Sequence, residues 1–278
     1  MRKIFLLLAA FGTVLLLFFA NCEDPENPNN NQVYVSKTAK NKVAIIEEFT
    51  GVKCQYCPDG HLKADSILKK YPGKAYVIAY HPQSGGYNTP YPGDEDLRRT
   101  WPDPLWALTF SGKQAMPGAF INRRLFGGIR WTGRDKWMQY AEQIMNESSP
   151  CNVGFASTYN TDTKILTATV QVYYTADVTS VNTLYLVLTQ DDIVTEQAGA
   201  GTGYVHKRTF REGLTPILGD TITGSKVTGY MFSKQYTFDN STRNYNMSKC
   251  NLVAFVRNVE NNEIYTGNSA KVNASTPK

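Results

Sequence analysis

The chain is poor in the residue types that build metal and nucleophilic sites. Only five cysteines and three histidines occur among its 278 residues. Its one CxxC pair, Cys54 and Cys57, is followed by neither a second CxxC nor a Cys/His pair, so a complete zinc site is disfavoured. The second half of the sequence shows no catalytic triad, metal cluster or phosphate-binding loop. We expect no metal and no cofactor.

A strong excess of charge is also lacking. The formal net charge is +5 at pH 7, and two of the basic residues, Arg2 and Lys3, lie in a segment predicted to be removed on export. So modest a balance is not that of a nucleic-acid-binding protein. Basic residues do cluster locally, as in residues 206–208, but such clusters are more typical of a solvated surface. We therefore expect no nucleic-acid partner.

The start of the chain is typical of an export signal. Arg2 and Lys3 precede an almost uninterrupted apolar run, and residues 1–21 are predicted to be a signal peptide. Cys22 resembles the lipid-acceptor cysteine of bacterial lipoproteins. The alternatives are simple secretion and an uncleaved membrane anchor, the latter because the run is nearly long enough to span a bilayer. Residues 22–41 are polar and rich in Pro and Asn, which predicts a lipid-anchored tether.

Export also decides how the cysteines are used. Because disulfides persist outside the cytosol, the four cysteines other than Cys22 can pair as Cys54–Cys57 and as Cys151–Cys250. We expect an outer-membrane lipoprotein on the periplasmic face or at the cell surface. Its expected contacts are the membrane, through the lipid, and envelope or secreted proteins.

The CxxC follows a hydrophobic strand and precedes a helical segment, which is the context of a redox-active pair. If Cys54 opens the helix, unpaired backbone N–H groups and the helix dipole favour its thiolate. Lys53 adds a positive charge beside it, and Cys57 can close a small disulfide with Cys54. Two other interpretations remain open: a permanently oxidised structural staple, and part of a metal site that includes His61.

Residues 42–149 are predicted to form an α/β domain. A strand, a helix and a strand are followed by an insertion, two more strands and a last helix. The insertion, residues 82–110, is long for a compact domain and rich in aromatic residues. These side chains, Trp101 among them, either wall a groove beside the thiols or form a small core of their own.

The order of these elements resembles the thioredoxin fold. Thioredoxins keep a buried acid followed by Phe six residues before the first CxxC cysteine, where Glu48 and Phe49 stand. They also keep a cis-proline that faces the disulfide, which Pro117 matches. The chain departs from that pattern in having Lys53 before the cysteine and Gly118 after the proline. The candidate site residues are catalytic Cys54, Cys57, Glu48 and Pro117, and substrate-binding Tyr56, His61, Met116 and Trp101.

Helical periodicity disappears beyond Pro150. Four segments with alternating apolar and polar side chains predict an all-β antiparallel sandwich over residues 150–278. The Gly-rich, basic segment Gln197–Pro216 is predicted to be a loop between strands, either a binding loop or a flexible connection. The predicted fold class is an α/β thioredoxin-like domain followed by an all-β antiparallel sandwich domain.

Four segments of the chain together resemble a known family. EEFTGxKCxxCPxGH, MPGAFINRR, YVHKRTFR and NLVAFVRNVENNEIY are similar to the outer membrane protein 28 family of Bacteroidota lipoproteins. The resemblance implies an outer-membrane or surface lipoprotein with a thioredoxin-like domain and a β-rich C-terminal domain. The predicted function is thiol–disulfide exchange with envelope proteins. The alternative is a non-enzymatic surface binding protein or adhesin whose CxxC is a structural disulfide.

Overall fold

Strands dominate the architecture. In the computed structural model, which describes residues 32–108 and 115–273, the chain forms fourteen strands and three α-helices. The elements before Pro150 are β1 (Ala44–Phe49), α1 (Cys57–Lys70), β2 (Ala75–Tyr80), α2 (Asp103–Leu108), β3 (Gly118–Ile121), β4 (Trp131–Gly133) and α3 (Trp137–Met145). Those after it are β5 (Cys151–Tyr159), β6 (Ile165–Tyr174), β7 (Asn182–Gln190), β8 (Ile193–Gln197), β9 (Gly201–His206), β10 (Thr209–Gly213), β11 (Asp220–Thr221), β12 (Met231–Asp239), a 3₁₀ turn (Met247–Lys249), β13 (Cys250–Asn258) and β14 (Ile264–Lys271).

Strand β1 places successive side chains on opposite faces of its sheet. Ile46 packs into the core beneath α1 and α3, whereas Ile45 packs into the core on the other face. Glu48 points to the same face of the sheet as Ile46 and lies against α1. Glu47 points to the opposite face, as Ile45 does. The two buried carboxyl groups therefore face different surroundings.

The helix after the CxxC buries one apolar face. Ala64 and Ile67 of α1 are fully buried, and α3 packs against the same core through residues such as Trp137. The helix α1 ends at Lys70, and Gly73 then takes a φ of +71°, a conformation that glycine adopts without a steric penalty.

One mixed sheet of nine strands runs through both halves of the chain. Its order is β14-β13-β7-β10-β2-β1-β3-β4, with β11 also paired to β7. Strand β2 is parallel to β1 and, through the pair Thr209 and Ala79, to β10. The other side of β10 pairs antiparallel with β7. A strand from the second half thus extends the sheet of the first.

The core on one face of this sheet is also shared by the two halves. Tyr80 and Phe120 pack in one cluster with Tyr185 and Phe255. Asn122 reinforces the junction, because its side-chain amide donates to the carbonyl of Val43, just before β1, and to that of Ile264, at the start of β14. The described residues, 32–108 and 115–273, belong to one compact unit. Independent folding on either side of position 150 stays a prediction.

A three-stranded antiparallel sheet, in the order β12-β6-β5, packs against the second half of the large sheet. Strand β6 alternates buried and half-buried residues along its whole length. The four alternating segments of the sequence are confirmed as β6, β7, β12 and β13. The fold class is confirmed at this coarser level: the protein is β-rich, with mixed and antiparallel sheets and few helices.

The segment Gln197–Pro216 is not the loop that the sequence predicted. It contains β9, which pairs with β8, and β10, which lies inside the large sheet. Glycines at two of the six positions of β9 hide its strand character, because β-propensity scales disfavour glycine. Pairing with β8 stabilises β9, and pairing with β2 and β7 stabilises β10, so neither strand is evident from its own sequence.

The predicted signal peptide and the lipid-acceptor Cys22 lie outside the described residues. Within residues 32–108 and 115–273, no helix is both long and apolar enough to cross a membrane.

Candidate active site

The sulfur atoms of Cys54 and Cys57 form a disulfide at the beginning of α1. The helix begins at Cys57, three residues later than predicted, with Tyr56 at the N-cap position. Cys54 lies in the preceding turn, where its N–H donates to the Gly51 carbonyl at 3.0 Å and its own carbonyl accepts from the Cys57 N–H at 3.2 Å. Pro58 follows in the first helical turn, where a missing N–H costs no helical hydrogen bond.

The disulfide is enclosed. Cys54 is 3% exposed and Cys57 is fully buried. Met116 packs in one small cluster with the two cysteines, and the partly buried Trp106 packs against that cluster. A partner thiol reaches the disulfide only after local movement of these neighbours.

The proline segment lies beside α1. The Met116–Pro117 peptide bond is cis, as the resemblance to thioredoxins implied. A Cβ placed on Gly60 would lie 2.8 Å from the Cβ of Pro117 and 3.1 Å from Oε1 of Glu48. The absence of a side chain at Gly60 therefore lets α1 approach both. At Gly118 the ring of Trp131 fills the space of a Cβ, which explains the absence of the threonine found there in thioredoxins.

Glu48 is a buried carboxyl group without a hydrogen-bond partner. Its side chain is inaccessible, and neither oxygen finds a partner among the residues that the structure describes. Burial raises the pKa of Glu48 to about 8, an effect that Arg208 reduces and Asp65 increases. At neutral pH this group carries a proton in the oxidised protein.

His61 connects Glu48 to the second half of the chain. Its Nε2 lies 3.6 Å from Oε1 of Glu48 and 3.0 Å from the hydroxyl oxygen of Thr50, and its Nδ1 lies 2.7 Å from the hydroxyl oxygen of Tyr204. Burial, followed by His206 and Arg208, lowers the pKa of His61 to about 3. Because both groups are neutral at pH 7, the His61–Glu48 contact is not an ion pair.

The antiparallel pair β8 and β9, residues 193–206, covers the CxxC turn, and we name it the clasp hairpin. Gln197 donates from Nε2 to the carbonyl oxygens of Gly51 at 3.1 Å and Cys54 at 3.0 Å. The N–H of Ala198 donates to a third carbonyl of the same turn at 2.8 Å. The clasp hairpin therefore holds the backbone of the turn that presents the disulfide.

We expect Gly199→Ala to loosen the clasp hairpin and expose the disulfide. Gly199 has a φ of +81°, and a Cβ there would overlap the carbonyl oxygen of Gln55. Reduction by dithiothreitol should become about tenfold faster, since a loss of roughly 1.4 kcal/mol in clasp stability increases the open fraction tenfold. Labelling of the released thiols over time measures the rate.

Gly201→Ala is the matched control for this prediction. Gly201 has a φ of +88° in the same hairpin, but a Cβ there meets nothing within 4 Å. Both substitutions impose the same backbone strain, so only the contact with Gln55 separates them. Equal reduction rates for the two variants would show that the clasp does not limit access.

Tyr56 and Met116, two of the predicted substrate-binding residues, lie at the disulfide. Tyr56 is 63% exposed between the two cysteines, with the guanidinium of Arg134 at 5.8 Å from its ring centre. Met116 contacts the disulfide from the proline side. Of these two side chains, only Tyr56 has a surface that a partner protein can reach, because Met116 is buried.

Trp101 is a correction to the predicted site. It stacks between Tyr80 and Phe210, at 6.1 and 5.0 Å between ring centres, and its indole N–H donates to the Thr215 carbonyl. These contacts hold it in the core shared by the two halves of the chain. Trp106, five residues later, is the tryptophan that packs against the disulfide.

The predicted bond between Cys151 and Cys250 is not formed. Both cysteines are buried free thiols. Cys151 begins a strand of the three-stranded sheet, opposite Tyr174, whereas Cys250 begins a strand of the large sheet, opposite Gln190. Burial raises the pKa of each thiol to about 12, so neither is a reactive thiolate at neutral pH.

The metal interpretation gains no support from the side-chain geometry. Across residues 32–108 and 115–273, no group of three or more His, Cys, Asp or Glu side chains is arranged to hold a metal ion. His61 uses both ring nitrogens in hydrogen bonds, and both CxxC sulfur atoms are in the disulfide.

Comparison with known proteins identifies the family. The chain matches the family described as outer membrane protein Omp28 over residues 109–276, which is more than half of its length. The chain belongs to the outer membrane protein Omp28 family. This confirms both the resemblance found in the sequence and the predicted location at the outer membrane. A comparison with curated proteins finds no match.

Two solved structures from Porphyromonas gingivalis resemble this Omp28-family chain. HBP35 matches with a TM-score of 0.65 at 20% identity, over 84% of this chain and 76% of its own. At that identity the likeness shows the fold alone. A domain of the outer membrane lipoprotein Omp28 matches with a TM-score of 0.33 at 18% identity, over 45% of this chain and 88% of its own.

The clasp hairpin and Tyr204 are parts of the site that sequence reasoning missed. Gln197 and Tyr204 are almost 150 residues from the CxxC in the chain. The only signal was the unusual composition of the Gly-rich segment, which marked it as distinctive without indicating what it contacts. The contact depends on the insertion of β10 beside β2, which brings the clasp hairpin to the CxxC end of the sheet.

Proposed function

We propose that this Omp28-family protein exchanges disulfides with envelope or secreted proteins through Cys54 and Cys57. The observation that carries the proposal is the position of the disulfide between the Pro117 segment and the start of α1, on the helix face that also covers the buried carboxyl of Glu48. The parallel pair β1 and β2, joined by α1, with β3 antiparallel to β1, supports a thioredoxin-like region.

The exchange balances without a cofactor. A partner thiolate attacks the sulfur of Cys54, the Cys54–Cys57 bond breaks, and Cys57 leaves as a thiolate that takes the proton of Glu48. A second partner thiolate then attacks the partner sulfur of the mixed disulfide and releases Cys54 as a thiolate. The partner dithiol is oxidised to a disulfide and the protein is reduced. The reverse sequence reduces a partner disulfide, with Glu48 taking the proton from Cys57.

The other predicted residues have roles that follow from their positions. Pro117 and Met116 would support the partner chain beside the disulfide, and Tyr56 would offer it an exposed aromatic surface. Lipid attached at Cys22 would keep the reaction at the membrane, since more than one acyl chain gives stable anchoring.

A structural disulfide is the second candidate, and one observation favours it. Cys54 is only 3% exposed beneath the clasp hairpin, whereas reactive cysteines are usually partly accessible. In this case the protein is a surface binding protein whose CxxC stabilises a turn.

Equilibration of the full mature chain with glutathione buffers tests the proposal. An exchange-competent pair should have a reduction potential above roughly −300 mV, whereas structural disulfides usually have potentials below this value. Cys57→Ser should accumulate mixed disulfides with envelope proteins, because Cys54 can attack and nothing resolves the product.

Cys54→Ser is the matched control for trapping. It keeps one CxxC thiol, the fully buried Cys57, and should accumulate far fewer mixed disulfides. A potential well below roughly −300 mV together with an empty Cys57→Ser trap would favour the structural disulfide instead.

A further inference from the structure

Glu48 needs a route for protons. When the disulfide is reduced, Glu48 gives its proton to Cys57 and becomes a carboxylate that is fully buried and has no hydrogen-bond partner among the described residues, and a proton from solvent must replace the one it lost. A carboxyl group in this position exchanges protons with water either through opening of the fold or through a chain of neighbouring donors and acceptors.

Such a chain is present except at its first step, where the Glu48 carboxyl group must move slightly to come within hydrogen-bond distance of His61. His61 lies 3.6 Å from Glu48 by one ring nitrogen and 2.7 Å from the Tyr204 hydroxyl by the other. A neutral imidazole carries a proton on one nitrogen and accepts at the other, so it can pass a proton from one side to the other by exchanging tautomers.

Tyr204 brings this chain to the surface. Exposure increases along it, from 0% at Glu48 through 9% at His61 to a half-buried Tyr204 on the clasp hairpin. The Tyr204 ring is held edge-on against His206, at 4.9 Å between ring centres, which fixes the hydroxyl group at its position.

We propose that His61 and Tyr204 form the path by which Glu48 exchanges protons with solvent. The inference rests on the proposed function for its purpose, but the path itself is a property of the fold. It makes Tyr204, a residue of the second half of the chain, a positioning residue for chemistry at the CxxC of the first half.

The proton steps balance in both directions. After Cys57 takes the proton of Glu48, the Nε2 proton of His61 moves to the carboxylate, the Tyr204 hydroxyl proton moves to Nδ1, and water restores the hydroxyl group. In the reverse exchange, Glu48 first passes its proton to Nε2, and the carboxylate that this leaves accepts the proton of Cys57. The Nδ1 proton then returns to Tyr204, which releases its hydroxyl proton to water, so one complete redox cycle restores the original tautomer of His61.

Other polar groups surround the path, and one of them, the Thr50 hydroxyl, competes with Glu48 for Nε2 of His61. Arg208 and Asp65 form an ion pair at 2.7 Å and act on Glu48 with opposite signs. Thr50 shares Nε2 of His61, and the His206 ring lies 6.3 Å from the His61 ring, with its own Nε2 bonded to a threonine hydroxyl. Neutral His206 adds no charge at pH 7, because burial lowers its pKa to about 4.

Infrared spectroscopy after a pH jump tests the path without requiring exchange activity. In the oxidised full-length mature chain, a jump from about pH 10 to about pH 6 protonates a carboxyl group whose pKa is about 8. The carbonyl band that is absent in Glu48→Gln reports this group. In Tyr204→Phe, which keeps the ring and loses only the hydroxyl group, growth of the band should slow at least about tenfold. Added imidazole should restore the rate by donating to His61 directly.

Tyr230→Phe is the matched control, because Tyr230 donates its hydroxyl proton to the Thr223 carbonyl, and this bond belongs to a different part of the second half. Its rate should equal that of the unmodified protein. His61→Gln provides a second variant, with a slowed rate that imidazole does not restore through the missing ring.

An unchanged rate in Tyr204→Phe, or equal slowing in Tyr204→Phe and Tyr230→Phe, would overturn the path. So would a slowed Tyr204→Phe that imidazole does not restore. None of these outcomes touches the proposed exchange activity, which the reduction potential and the Cys57→Ser trap decide separately.

Discussion

Glu48→Gln is expected to slow turnover of disulfide exchange by about 100-fold while the Cys54–Cys57 bond still forms. The amide keeps the shape of the side chain but can neither give a proton to Cys57 nor take one from it. General acid–base catalysis by a positioned group is worth about 10²–10⁴-fold in rate. Turnover with a dithiol and a disulfide substrate at pH 7 measures the loss.

The same substitution should change how stability depends on pH. Glu48 has a folded pKa of about 8 and an ordinary value of 4.5, so between these pH values the folded chain binds a proton that the unfolded chain has lost. The free energy of unfolding of the oxidised protein therefore falls as pH rises through this window, by a few kcal/mol in total. In Glu48→Gln this loss should disappear.

Glu260→Gln is the control for both measurements. Glu260 is an exposed carboxyl group near the end of β13, and its substitution should leave turnover and the pH profile of stability unchanged. If chemical denaturation at pH 5 and pH 9 gave the same difference for Glu48→Gln as for the unmodified protein, Glu48 would not hold the buried proton on which the mechanism depends.

Arg123→Met is expected to lower the free energy of unfolding by about 3–5 kcal/mol. The Arg123 guanidinium and the Glu47 carboxylate form two hydrogen bonds of 2.6 Å, and their side chains are 5% and 0% exposed. Removing one partner leaves the other charge buried without its counterion, and this carries most of the cost. Chemical denaturation at neutral pH measures it.

The size of this effect follows from where the pair lies. Arg123 stands over the ring of Tyr185 at 4.8 Å and over that of Phe255 at 5.5 Å, both from the second half of the chain. Burial alone would lower the pKa of Arg123, but the carboxylate of Glu47 outweighs this effect. The pKa is therefore raised above its usual value, and the guanidinium stays charged. The pair therefore joins β1 and the end of β3 to β7 and β13.

Two comparisons make this prediction specific. Replacing both partners, as Arg123→Met with Glu47→Met, should recover much of the loss, since no unpaired charge is left in the core. Arg98→Met removes a surface pair with Asp96 and should cost less than about 1 kcal/mol. A loss as small as this for Arg123→Met would show that water or other groups replace the counterion.

Local patterns in the sequence were sufficient to find the centre of the site. A strand followed by CxxC and a helix brings Glu48 against the helix that begins at Cys57, because a strand and the helix after it pack together. Pro117 was singled out by the resemblance to thioredoxins, and the structure gives it a cis peptide bond just before β3. The position of each of these residues is set by elements that are adjacent to it in the chain or in the sheet.

Trp101 shows why the wall of the site was harder to predict. An aromatic residue in a long insertion can pack on either side of a sheet, and composition does not distinguish the two sides. The structure places Trp101 in the shared core and Trp106 at the disulfide, and the space between Tyr80 and Phe210 decides the difference.

Cys151 and Cys250, the first residues of β5 and β13, also show what sequence spacing cannot predict. Export and an even count made Cys151 and Cys250 a plausible pair, but they begin strands of different sheets and stay free. Pairing of distant cysteines depends on a geometry of a few ångströms that spacing does not contain.

By itself, the sequence determined the short-range parts of this protein: the alternating strands, the helix after the CxxC, the CxxC with its buried acid, and membership of an outer-membrane family. Each of these is encoded by residues that act on near neighbours in the chain. Only the tertiary structure decided that β10 joins the first sheet, that the clasp hairpin covers the disulfide, and that Tyr204 meets His61. Contacts between residues so far apart in the chain depend on how the strands are ordered, and strand order is a property of the whole folded chain.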